Sequence, residues 1–163
     1  MLKPESRLAS LMSAPIRPGR VVWIGLRPAR REPMVPVEAA TAEPGNGLIG
    51  DRYRSSREGP RQVTLVQAEH LAAIASYLGR DSIEPTLLRR NVVTQGINLL
   101  SLKHRQFTLG TAVLEYTGEC HPCSRMEENL GTGGYNAVRG HGGITARVLA
   151  AGEIRIGDRL VVL

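Results

Sequence analysis

Glycine and proline punctuate this chain so densely that no apolar stretch outgrows a strand. Eighteen glycines and ten prolines are spread over 163 residues. A buried helix needs ten or more residues of 3.6-fold periodicity, and a membrane-spanning helix about 20 apolar residues in a row. The helical pattern is clear once, in residues 68–78, where Leu71, Ile74, Ala75 and Leu78 share a face and Gly79 stops it. The spanning pattern is absent. Residues 20–26, 35–41, 61–67, 91–94, 106–109, 112–117 and 159–163 read instead as short strands, with Pro36 placing the second at an edge. Pro44-Gly45-Asn46-Gly47 is a turn, and residues 125–130 read as one or two helical turns closed by Gly131. Residues 152–162, bent at Gly157-Asp158, read as a hairpin that closes a barrel. Many short strands with few helices predict a mainly β fold, a barrel or a sandwich.

The folded domain is expected from about residue 20 to 163, with residues 1–19 as an N-terminal extension. Leu8, Leu11 and Met12 have helical spacing within that extension. A chain of this length buries about 70% of its unfolded surface and needs no metal or disulfide to fold. Glu5 and Arg7 interrupt what would be a secretion leader, so a cytoplasmic location is expected. Two cysteines in a reducing compartment read as a functional pair or a chance pair before a structural disulfide. No Walker A, HExxH or GxSxG pattern occurs, and no regular βαβ alternation points to a dinucleotide fold.

The net charge is +6, and 19 of the 21 basic residues are arginine. Arginine grips phosphate and carboxylate with two donors at once. A composition rich in Ala, Gly and Arg also accounts for the excess without any ligand. The charges are scattered and not interleaved with aromatics, which argues against a nucleic-acid partner.

Cys120-His121-Pro122-Cys123 is the densest candidate for chemistry. Arg125 and the start of a helical turn would favour a thiolate at Cys123. Four readings stand side by side. The motif could supply ligands to zinc, with His141 completing the set. It could be a thioredoxin-like redox pair. Cys123 could be one reactive or metal-ligating thiolate with Cys120 as helper. Both cysteines could simply be small buried apolar residues. Other candidates are Arg89-Arg90-Asn91 at a strand mouth, where two guanidinium groups could hold an anion or simply be a solvated strand entry, and Asp51-Arg52 after the turn, where Asp51 could also only cap or pair with an arginine. The run Arg139-Gly140-His141-Gly142-Gly143 is a further one, where glycine permits close backbone approach.

In order along the chain, Gly47-Leu48-Ile49-Gly50-Asp51-Arg52, Arg61-Gln62-Val63-Thr64-Leu65, Leu88-Arg89-Arg90-Asn91-Val92-Val93 with Gly96-Ile97, Cys120-His121-Pro122-Cys123, and Gly142-Gly143-Ile144 through Gly152-Glu153-Ile154 to Gly157-Asp158 resemble the MOSC domain. This is the C-terminal domain type of molybdenum-cofactor sulfurases. The resemblance covers residues 20–163 and implies a β-rich, barrel-like domain. It implies that Cys123 carries persulfide sulfur or ligates molybdenum, with Cys120 the less certain position. It also implies that Arg89, Arg90 and Asn91 bind the molybdenum cofactor, a pterin with a phosphate and an anionic dithiolene. Asp51, Arg52, Arg125, Arg139, Gly142 and Gly143 would line the same pocket, and His121 or His141 would be a proton donor. The chain lacks the half of full-length sulfurases that uses pyridoxal phosphate. Sulfur would therefore come from a partner cysteine desulfurase, or electrons from an electron-transfer protein. Three activities stay open: reduction of N-hydroxylated compounds on the molybdenum cofactor, sulfur carriage on Cys123, and non-catalytic binding of an anionic ligand.

Overall fold

Val63-Thr64-Leu65-Val66-Gln67 is buried at every position, the pattern of a strand covered on both faces. In the computed structural model, which describes residues 3–53 and 58–163, this strand is β5 (Val63–Gln67). It pairs in parallel with β6 (Val92–Gln95), Leu65 opposite Val92. A parallel pair needs a crossover, and α2 (Ala68–Tyr77) supplies it on the outer face.

The remaining strands of this sheet are antiparallel to their neighbours. They are β1 (Gly19–Leu26), β7 (Gln106–Leu109), β8 (Ala112–Glu119), β9 (Ile144–Ala150) and β11 (Arg159–Val162). Their order is β11-β7-β8-β9-β5-β6-β1, and β11 pairs again with β1, Gly19 opposite Leu160. The sheet is thus a closed seven-stranded barrel, not a sandwich. The short β2 (Val35–Pro36) adds to the far end of β1. A second sheet of β10 (Gly152–Arg155), β3 (Ala39–Glu43) and β4 (Gly47–Leu48) lies against the barrel.

Two apolar cores follow from the two-residue period of β5 and β6. Val63, Leu65 and Val92 point into the barrel with Phe107, Leu109, Leu114 and Leu160; Ala40, Ala42, Leu48 and Ile154 of the smaller sheet join them. Val66 and Val93 point outward, onto Leu71 and Ile74 of α2 and onto Met126, Leu130, Ala137 and Val138. The last four come from α3 (Ser124–Leu130) and α4 (Gly134–Val138).

Several expectations change. The strand expected over 35–41 is two pieces, β2 and β3, in different sheets. Residues 152–162 do not form a hairpin. β10 pairs with β3, whereas β11 pairs with β7 and β1, and Gly157 at φ +92° turns the chain between the two sheets. β9 and α4 had not been expected. The N-terminal helix α1 (Arg7–Met12) is present but buries none of its residues. No helix among the described residues is long and apolar enough to cross a membrane.

Candidate functional site

The ends of β1, β6 and β8, the entry to β5 and the turn after β4 converge beside Cys120. Asp51 follows that turn and is almost fully buried. A buried carboxylate needs donors at each oxygen, and Asp51 has them. Its Oδ1 accepts from the Arg27 backbone N–H (2.7 Å), Arg27 Nε (3.1 Å) and Asn91 Nδ2 (3.0 Å), and its Oδ2 from Arg27 Nη2 (2.7 Å) and the Tyr53 N–H (3.3 Å). Burial pushes the Asp51 pKa up, but the Arg27 hydrogen bonds and charge outweigh it and hold the carboxyl below its usual range.

Asn91 is fully buried and knits this wall together. Its Nδ2 also donates to Gly25 O (3.2 Å), and its Oδ1 accepts from the Thr64 N–H and Oγ1, both at 3.1 Å. Asp51 thus pairs with an arginine, one of the two readings its sequence position offers, and Asn91, implied by the resemblance to bind the cofactor, directs these polar atoms into the protein. Their role is to position Arg27, which the sequence reading had not singled out. The partners are 24 residues apart, so no local pattern marks Arg27; the only signal is that a buried Asp51 demands a cation.

Arg90 is different. It is 8% exposed, yet its guanidinium meets only carbonyls: Gly142 O from Nε (2.7 Å), Leu88 O from Nη1 (2.8 Å) and Cys120 O from Nη2 (3.2 Å). No described carboxylate pairs with it. Burial pushes its pKa down, the sulfurs of Cys120 and then Cys123 oppose that, and Arg27 and Arg61 reinforce it. Arg89 takes a left-handed backbone (φ +56°) and turns its guanidinium to Glu32 O (2.6 Å) and Ala29 O (3.3 Å). Burial depresses its pKa, and Arg27, Arg52 and Arg125 add to the effect against Asp51. These arginines therefore share one electrostatic neighbourhood.

The two cysteines are unlike. Cys120 is 4% exposed and its N–H donates to Gly143 O (2.8 Å). Arg61 Nη2 lies 3.9 Å from its Sγ. Cys123 is exposed and caps the start of α3, where its side chain makes no capping bond. Glycine at 142 and 143 is required by packing. A Cβ on Gly142 would lie 2.1 Å from Cys120 O, and one on Gly143, at φ +87°, would lie 1.9 Å from Leu65 O. These glycines hold the Cys120 segment against β5.

Arg27, Arg52, Arg61 and Arg90 line an open cleft of about 380 Å³ together with Tyr53 and Cys120. Arg125 lies in a neighbouring hollow with Arg89. Arg139 is exposed and turns to Asn136, away from this group. His121 is exposed. His141 Nδ1 lies 2.9 Å from Arg139 O, and its ring stacks edge-on with His70 (4.6 Å) and Tyr77 (5.4 Å) of α2. It does not join the cysteines. Among the described residues no three His, Cys, Asp or Glu side chains gather as metal ligands, so the zinc reading finds no ligand set. Four cations, one thiol and no free carboxylate make a cleft suited to an anionic ligand with a soft-metal or sulfur function.

Residues 44–161 match the family model for the MOSC domain. No curated protein matches the sequence. Among solved structures, the YuaD protein from Bacillus subtilis superposes with a TM-score of 0.76 at 22% identity, over 90% of this chain and 96% of that one. YiiM from Geobacillus stearothermophilus gives 0.67 at 18% identity, over 89% and 75%. YiiM from Escherichia coli gives 0.67 at 16%, over 88% and 69%. At these identities the likeness is one of fold.

Proposed function

This chain belongs to the MOSC domain family, and from that premise we propose that it holds the molybdenum–pterin cofactor in its arginine cleft, with Cys123 as the protein ligand to the metal. The observation that carries the reading is electrostatic. Arg52, Arg61 and Arg90 gather beside Cys120 and make no ion pair with a described carboxylate, while the one carboxylate of the wall, Asp51, is engaged by Arg27. Guanidinium groups without a described carboxylate partner fit an anion; the thiol that lines the cleft is Cys120, and the choice of Cys123 as the metal ligand rests on the family resemblance.

When bound, that group would supply two-electron oxygen-atom transfer, the chemistry that reduction of an N-hydroxylated compound requires. The chain supplies the rest. Arg52 and Arg61 reach the open cleft and would grip the phosphate by charge-assisted hydrogen bonds. Arg90 fixes the Cys120 carbonyl and the Gly142 loop, and so sets the floor. Asp51 and Asn91 hold Arg27 in place. His121, exposed beside Cys120, would hold the proton that an N–O substrate takes up. Electrons would come from a partner protein, and the setting would be cytoplasmic.

A second reading has its own observation: Cys123 is exposed and its side chain makes no capping hydrogen bond, as suits a thiol that meets a sulfur donor. There it would carry persulfide sulfur from a partner desulfurase. The test is purification without air from a host that makes the cofactor, for the wild type and Cys123→Ala. Loss of bound pterin and molybdenum in the variant alone supports the ligand role. Equal retention in both overturns it and leaves an anion-binding module. A wild type with no cofactor, but with an added sulfur on Cys123 after incubation with a desulfurase and cysteine, moves the assignment to sulfur carriage.

A further inference from the structure

We propose that Cys123 and Cys120 form a dithiol–disulfide couple, in which Cys123 is the entering thiol and Cys120 the resolving one. The couple is independent of the cofactor reading; only its consequence for metal binding rests on that reading.

The asymmetry of the two thiols carries the inference. Exchange begins at the accessible sulfur. Cys123 is exposed, immediately precedes α3, and its side chain makes no capping hydrogen bond that would have to break. Cys120 is 4% exposed, too enclosed to meet a bulky disulfide first. It lies three residues earlier, the spacing of exchanging dithiols. Its backbone is anchored at both ends, by its own N–H to Gly143 O and by Arg90 Nη2 to its carbonyl. Residues 120–123 belong to neither β8 nor α3, so this segment can close a ring without unravelling either element.

Two arginines stand beside the resolving cysteine. Arg61 Nη2 lies 3.9 Å from Cys120 Sγ, and Arg90 Nη2 donates to the Cys120 carbonyl (3.2 Å).

The oxidant is a small-molecule disulfide of the glutathione class. The Cys123 thiolate attacks one of its sulfurs; that S–S bond breaks, a mixed disulfide forms on Cys123, and one thiolate leaves. The Cys120 thiolate then attacks Cys123 Sγ, the intramolecular bond forms, and the second small thiolate leaves. Two protein thiols lose two electrons, the small disulfide gains them, and the two protons pass to the released thiolates. Oxidation would withdraw Cys123 from any metal and draw Cys120 Sγ off Arg61, so the couple would gate the site.

The experiment uses the full chain without cofactor, equilibrated in mixtures of reduced and oxidised glutathione, quenched with acid, alkylated and weighed intact. The wild type should move between two alkylations and none, with little glutathione adduct. Cys120→Ser should accumulate the adduct at Cys123 at least about tenfold over the wild type, because the resolving step is gone. Cys123→Ser should stay unmodified over the same time. Thermal melts of all three confirm that each is folded, and Cys120→Ala serves if the serine variant is not. An equal adduct in wild type and Cys120→Ser overturns the proposal, as does Cys123→Ser reacting as fast as the wild type. A chain that forms the disulfide yet retains no molybdenum in its reduced state leaves the couple standing and sinks only the cofactor reading.

Discussion

Arg27 and Arg90 face the same cleft, and the protein treats them in opposite ways. Arg27 meets a buried carboxylate through its backbone and side chain, and that carboxylate is shared with Asn91. Arg90 meets only carbonyls, and Arg61, on the same wall, meets a sulfur. A buried cation without its carboxylate is costly to keep. The paired wall thus holds the cleft in shape, while on the proposed function the wall of Arg90, Arg61 and Cys120 keeps positive potential for an anionic ligand. Substitutions on the first wall should change stability and those on the second should change binding.

The largest effect is expected where the second wall leans on the barrel. Gly143→Ala combines a left-handed backbone with a Cβ that would overlap Leu65 O. Strain and overpacking together should cost about 3–5 kcal/mol in urea unfolding. An unchanged midpoint would mean that the glycine loop is not what holds Cys120 in place.

Asp51→Asn should cost about 2–3 kcal/mol, because it leaves Arg27 half-buried without its counter-charge. The same pair predicts an acid response. The folded Asp51 carboxyl titrates below its unfolded value. Its contribution is therefore complete above about pH 4 and fades as pH falls through the lower, folded pKa. Wild-type stability should drop in that window more steeply than that of Asp51→Asn, and parallel curves would break the comparison.

Arg61→Gln should leave stability within about 0.5 kcal/mol, since the residue is exposed. It should weaken pyrophosphate binding about tenfold, the loss of one charge-assisted contact. Calorimetric titration separates the two. A destabilised protein with normal affinity would assign Arg61 to the first wall. Arg139→Gln, which removes an arginine turned toward Asn136, should change neither quantity measurably.

Local signals were read well where local chemistry decides. The helix of Leu71, Ile74 and Ala75 and the strand 106–109 lie where their periodicities put them. Pairings between distant segments escaped. Gly157-Asp158 bends the chain as a hairpin would, but β10 and β11 find partners more than 40 residues away. Barrel closure through Gly19 and Leu160 is equally non-local. The site divides the same way. Cys120 and Cys123 were visible as a dense local motif, and Arg90 and Asn91 as polar residues at a strand mouth. That Asn91 faces inward while Arg61 faces the cleft depends on which side of a strand each occupies in the assembled barrel. Arg27 is identified only by Asp51, across 24 residues of chain.

The central claim is that the arginines without a described carboxylate partner, together with Cys123, hold an anionic molybdenum group. The direct measurement is the molybdenum-to-protein ratio of the wild-type chain, purified without air from a host that makes the cofactor, beside Arg61→Gln and Cys123→Ala. The account predicts a ratio near one for the wild type, a reduced ratio for Arg61→Gln and almost none for Cys123→Ala. A wild type free of molybdenum, or three equal ratios, would contradict it.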